Sequence, residues 1–205
     1  KEFFKGLRYP YITNSSPNKR HDGLNIARGA FALDDKILKT ETNAKGNAVM
    51  KLESLARTNG FETKGAHSAL FDAELTLKVL GLIKSKQPHT WDSFLKTSNK
   101  SDTETIIKKD KIITLNEYFY GKSRLYLCAP LHPKYCTHPI YQWGQAVDLR
   151  FDVEPLLKMS ISDLKLQMKK SPKFLRTIRS NKAPIIIDKM YGMKVEPYNA
   201  IDISL

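Results

Sequence analysis

The feature that most constrains this chain is a change of hydrophobic period part-way along it. Up to residue 88 the apolar residues recur at helical spacing. After residue 104 they gather in short β-branched and aromatic runs between turn signals. Helices and strands bury their apolar faces with different periods, so neither pattern can serve for the other. The chain is therefore expected to fold as an α/β part over residues 1–88, a linker over 89–104 and a β domain over 105–205.

In the first part, Leu24, Ile26/Ala27, Ala30/Phe31 and Leu33 mark a helix with Asp22 as its N-cap. Residues 34–47 are polar and read as a loop. Residues 48–58 place Val49, Leu52 and Leu55/Ala56 on one face, and Asn59-Gly60 stops that helix. Residues 66–84 carry the strongest helical pattern, with Leu70, Ala73, Leu77, Leu80 and Leu82/Ile83 as the expected apolar stripe. The polar runs KQPHT and KTSNKSDTE flank a short apolar turn at Trp91 and Phe94, which suggests the linker. Beyond it KIITLNEYFYG, RLYLCAPL, QAVDLRF and APIIID read as strands. One inserted helix is expected over 160–170, capped by Ser160 or Ser162.

Charge bears on partners rather than on fold. Lys and Arg outnumber Asp and Glu by 34 to 21 in 205 residues, a net +13 spread over both halves. That excess suits a polyanion, nucleic acid before an anionic membrane surface; drift toward Lys is the plain alternative. No apolar run reaches the roughly 18 residues of a membrane-spanning helix. The opening KEFFKGLRYPY has neither the apolar core nor the cleavage site of a signal peptide. Two Cys exclude a disulfide framework and suit a reducing compartment, so a cytoplasmic location is expected.

His67 and Asp72 form an H-x4-D pair at the start of the strongest helix. With His67 in the entry loop, both side chains can face one cleft. A carboxylate such as Asp72 binds hard divalent cations, and an imidazole near neutral pKa can take a proton from an attacking water. Taken alone, the pair reads first as a surface or capping feature, since such spacings also arise by chance. Cys128, His132, Cys136 and His138 could supply zinc ligands, but C-x3-H-x3-C-x-H is not a usual zinc spacing. Cys128 is expected to be a buried strand residue and Cys136 a loop residue.

In context, AHSALFDAELTLKVL (66–80) resembles the third motif of the DEDD-type 3′→5′ exonucleases, in the subgroup with a His base. RHDGLNIAR (20–28), KLESLARTNG (51–60), KQPHTWDSF (86–94), APLHP (129–133), AVDLRFDVEPLLKMSISDLKLQM (146–168) and NKAPII (181–186) resemble, in order, the exodeoxyribonuclease I branch of that family. The resemblance implies the C-terminal part of an RNase H-like exonuclease domain followed by an SH3-like β domain. It implies release of 5′-mononucleotides from single-stranded DNA by two-metal hydrolysis, with Mg2+ or Mn2+, His67 as base and Asp72 as metal ligand. Single-stranded DNA is the implied partner, a monomer is the implied state, and a single-strand DNA-binding protein is left open as a second partner.

The family needs four carboxylates, and one carboxylate cannot hold two metal ions. The D-x-E triplets at Asp72, Asp102 and Asp152 come too late in the chain to be the family's first motif and read as surface charge. Lys1 is therefore expected to lie downstream of the first two motifs, and the chain alone is expected to be inactive. The alternative is a non-catalytic module that binds single-stranded nucleic acid on the same scaffold. Basic grooves and aromatic platforms hold single strands. By resemblance Tyr11, Arg28 and Lys51 are DNA-contact candidates, and by type and position Lys100, Arg176 and Lys182 join them.

Overall fold

A computed structural model describes residues 18–64, 68–134 and 138–202. Five helices come first: α1 (Gly23–Leu33), α2 (Leu52–Thr58), α3 (Ala69–Lys86), α4 (Pro88–Leu95) and α5 (Lys100–Lys109). They are followed by β1 (Ile113–Phe119), β2 (Lys122–Pro130), β3 (Gly144–Asp148), α6 (Glu154–Leu157), α7 (Ile161–Lys169), β4 (Leu175–Ile178), β5 (Ile185–Ile187) and α8 (Lys189–Gly192). The fold is α/β with one five-stranded antiparallel sheet, in the order β4-β3-β2-β1-β5. Among the described residues no helix is long and apolar enough to cross a membrane.

The local chemistry explains the element ends. The Asp22 carboxylate accepts from the N–H groups of Leu24 (2.9 Å) and Asn25 (3.3 Å), satisfying two of the four orphan donors of α1. Ser160 caps α7 in the same way, accepting from Asp163 N–H. The β1–β2 hairpin turns on Tyr120 and Gly121, both in the left-handed region (φ 51° and 79°), as a two-residue turn of this twist requires.

Buried residues form two clusters. One gathers Ile26, Ala30, Leu55, Leu75, Val79, Ile83 and Phe94 from the helices with Ile185 and Ile187 of β5. The other gathers Ile107, Ile113, Leu115, Leu127, Ile178 and Ile186 around the sheet. Successive side chains of β5 thus serve opposite faces, as a strand's period of two dictates. Gly29 lets α1 approach β5 closely, because a Cβ there would stand 2.8 Å from Ile185 Cγ2. Ser123 Oγ donates to the Arg28 carbonyl (2.8 Å), and Thr97 Oγ1 donates to the Pro184 carbonyl.

Several expectations need correction. The buried stripe of α3 is Leu75, Val79 and Ile83, whereas Leu70 and Leu77 are 73% and 70% exposed. That helix is apolar on more than one side, so its partners decide which side is covered. The helix expected from residue 48 starts at Leu52, because Ala48 pairs with Thr42 in an isolated bridge. The linker expected over 89–104 holds most of α4 and the first half of α5. Two helices, α6 and α7, lie between β3 and β4 where one was expected, and β4 itself was not expected.

Candidate nucleic-acid interface

Asp72 lies in the first turn of α3 and is half-buried. Ser68 caps that helix, its Oγ accepting from Phe71 N–H (3.2 Å), while Asp72 N–H donates to the Ser68 carbonyl (2.9 Å). A carboxylate in a first turn sits where the helix dipole favours negative charge. One turn on, Thr76 Oγ1 donates to the Asp72 carbonyl (2.8 Å). His67 and Tyr11 lie outside the described residues.

Thr76 also lines a cleft of 840 Å3 with Lys51, Arg28 and Tyr118. Lys51 is exposed at the N-cap position of α2, and its side chain makes no capping bond. The Arg28 guanidinium stacks on Tyr118, 3.8 Å from the ring centroid, and its Nε is buried with no hydrogen-bond partner. Arg28 faces a second cleft of 820 Å3 with Lys173, Arg179 and Lys182. Lys182 in turn joins Lys19, Arg20 and Lys100 in a third cleft of 990 Å3. Asp22, at the head of α1, borders all three. Lys51, Arg28, Lys182 and Lys100 are therefore brought to one set of adjoining clefts. Lys100 also pairs with Glu104 across an exposed helical step (3.4 Å), a contact too weak to withdraw its charge. Another cleft, of 370 Å3 beside Lys109, Lys111 and Lys189, holds none of the candidates.

Arg176 also lines the 820 Å3 cleft, but its guanidinium is already committed. It is 7% exposed, and all three guanidinium nitrogens are engaged. Nε (3.2 Å) and Nη2 (2.9 Å) donate to Asp148 Oδ2, and Nη1 donates to Glu117 Oε2 (3.1 Å). The same group lies 3.7 Å over the Tyr126 ring. Asp148, fully buried, also accepts from Arg150 and from the Tyr198 hydroxyl (2.7 Å). Burial raises the Glu117 carboxyl pKa, against the pull of Arg176. Burial and the bond to Asp148 raise that of the Tyr198 hydroxyl. Arg176 is a scaffold residue of the sheet, committed to two carboxylates, and not a free phosphate contact.

Cys128 is fully buried in β2, and burial pushes its thiol pKa far up. A thiol held protonated is a poor metal ligand. Cys136 lies outside the described residues. Among the described residues no group of three His, Cys, Asp or Glu side chains could hold a metal ion. Asp72 on its own does not fit a two-metal centre. The later D-x-E triplets are surface features: Asp102 pairs with Lys19 (3.4 Å) and Glu154 with Lys158 (2.6 Å).

No family profile matches the chain. Curated sequences are more informative. Exodeoxyribonuclease I of Buchnera aphidicola from Acyrthosiphon pisum is 29% identical over 168 residues, covering 77% of this chain and 38% of that protein. Over most of its length the chain is related to exodeoxyribonuclease I. The relation agrees with the resemblance of the ordered segments from 20–28 to 181–186. The fold agrees too: Escherichia coli exonuclease I in complex with a dT13 oligonucleotide superimposes with TM-score 0.68, at 24% identity, over 96% of this chain and 44% of that one. A structure described as an ExoI/SSB-Ct complex gives TM-score 0.65 at 24% identity, over 89% and 40%. The chain thus spans about two fifths of the exodeoxyribonuclease I relatives it matches.

Proposed function

We propose that this chain is part of a 3′→5′ exonuclease that acts on single-stranded DNA. One observation carries the reading: Lys51, Arg28, Lys182 and Lys100 line three clefts that meet at Asp22, giving a continuous cationic path beside the helix that bears Asp72. A path of this kind holds a flexible phosphate backbone without reading sequence. The relation to exodeoxyribonuclease I supplies the reaction class. In that reading Asp72 is one of four carboxylates around divalent metal, magnesium or manganese, and His67 is the general base. Residues 1–88 then close an RNase H-like domain and 105–205 form an SH3-like domain, with Leu125, Ile185 and Ile187 of the second part packed into the helical cluster of the first. Cys128 as a buried free thiol is in keeping with a cytoplasmic location. A single-strand DNA-binding protein is the second partner this reading allows.

The test is release of mononucleotides from 5′-labelled single-stranded DNA by the full-length protein with magnesium. Asp72→Asn should lower turnover at least about a hundredfold, by comparison with losses at groups that merely support a metal, and leave DNA binding intact. Wild-type turnover in Asp72→Asn would overturn the assignment. The alternative is a non-catalytic single-strand binding module, favoured by the lack of any three-ligand group among the described residues. It requires that the wild-type protein bind DNA with steep salt dependence and hydrolyse none.

A further inference from the structure

Between β2 and β3, the segment 138–143 places three aromatic rings together at the surface. Tyr141 and Trp143 stack with centroids 4.3 Å apart and planes 19° apart. The His138 ring lies 5.2 Å from Tyr141 and 5.3 Å from Trp143. The loop is closed on itself: His138 N–H donates to the Trp143 carbonyl (2.7 Å), and Gln142 N–H donates to the His138 carbonyl (2.9 Å). His138 Nδ1 accepts from the N–H groups of Ile140 and Tyr141, each at 3.3 Å. Trp143 Nε1 donates to Asn181 Oδ1 (2.8 Å), which ties the loop to the turn bearing Lys182. Tyr141 is nonetheless 54% exposed.

Tyr141 is thus fixed in place on the half-buried Trp143 with much of its ring left in water beside the exposed Ile140, an apolar surface patch of the kind that marks an interaction site. Its surroundings indicate the partner. The Arg179 guanidinium lies 5.5 Å from the Trp143 centroid. Arg179, Lys182 and His138 line the same 820 Å3 cleft that Arg28 enters from the other side. A planar apolar ligand flanked by negative charge matches this surface, and that is an unpaired base between two phosphates.

We propose that Tyr141 and Trp143 form a stacking platform for one unpaired base of single-stranded DNA, with the flanking phosphates held by Arg179 and Lys182. This rests on the reading that the chain binds single-stranded DNA. The site would extend the strand's path over the sheet without taking part in hydrolysis.

The experiment is fluorescence anisotropy of a labelled thymidine oligonucleotide with the full chain in EDTA, titrated at several salt concentrations. Tyr141→Ala should weaken binding about 5- to 100-fold with an unchanged salt slope, since stacking carries no counterion release. Tyr141→Phe should bind as wild type does. Lys182→Ala should lower the slope by about 0.7. On a strand of abasic residues, wild type and Tyr141→Ala should bind alike. A Tyr141→Ala variant within twofold of wild type on thymidine, or equally impaired on the abasic strand, overturns the platform and leaves the DNA-binding reading standing. Failure of the wild-type chain to bind thymidine strands at any salt overturns that reading itself, and the platform with it.

Discussion

Arg176 separates a scaffold role from a substrate role in a single residue. Its guanidinium is enclosed by Asp148, Glu117 and the Tyr126 face, so Arg176→Ala removes the cation and leaves the buried Asp148 and the largely buried Glu117 behind. Deleting one partner of a buried pair costs about 3–5 kcal/mol. Arg150 and the Tyr198 hydroxyl still serve Asp148, which places the loss near the low end, about 3 kcal/mol. For a chain of this size that lowers the melting midpoint by roughly 6–12 °C. The loss should depend on pH. Glu117, its pKa already raised by burial, is raised further without its cation, and a group with a raised folded pKa loses stability as pH rises through that value. The deficit should therefore be full near neutrality and narrow as pH falls toward the ordinary carboxylate value of 4.5. Differential scanning calorimetry at several pH values measures this. Anisotropy below the melting range should show the salt slope of DNA binding unchanged. A melting midpoint within about 2 °C of wild type, with a slope lowered by about 0.7, would refute the scaffold role and make Arg176 a phosphate contact.

Two further outcomes follow from local geometry. Gly121→Ala should cost about 2 kcal/mol in urea denaturation with an unchanged m-value, because φ is 79° and the new Cβ would stand 2.5 Å from Asn47 Nδ2. Burial lowers the His21 pKa below 6.5, so the fold favours the neutral ring. Stability from this group is then present above pH 6.5 and lost as pH falls through its folded value; His21→Phe should flatten that part of the urea-midpoint profile.

Much of the architecture was legible because each visible element carries its own end signal. Asp22 and Ser160 cap the helices they were expected to cap, β1 and β5 fall within their apolar runs, and β2 and β3 begin one or two residues ahead of theirs. What stayed hidden had its signal masked by a polar residue in an apolar place. β4 turns Arg176 and Ile178 inward after the buried Phe174 that precedes it, and an Arg within so short a strand breaks the apolar pattern that marks one. Helix α5 buries Thr103 and Ile107 one turn apart within a run that composition reads as linker. Its start was nonetheless written in the chain: Asn99 Oδ1 accepts from Asp102 N–H (2.8 Å), a capping pair three residues apart. Of the candidate site, Lys51 and Arg28, singled out by resemblance, and Lys182 and Lys100, singled out by type and position, line adjoining clefts. The aromatic loop was not legible, because Tyr141, Trp143 and Arg179 meet only through a turn closed by backbone bonds.

A net charge of +13 cannot by itself locate a polyanion site, because it counts cations that the fold has already claimed. Arg176 and Arg150 converge on Asp148, and Arg57 lies between Glu41 and Glu53, so their fields are cancelled within a few ångströms. The charge that reaches solvent is what remains. Lys51, Lys182 and Arg179 have no such carboxylate among the described ion pairs, and Arg28 rests on an aromatic face rather than an acid. These residues cluster where the head of α1 meets the sheet, and Asn25 Nδ2 holds that junction by donating to the carbonyls of Lys182 (3.1 Å) and Ala183 (3.3 Å). Loosening it, as Asn25→Ala would, separates Arg28 from Lys182 without removing either charge. The cationic path therefore depends on the packing of α1 against the sheet as much as on the lysines and arginines that line it.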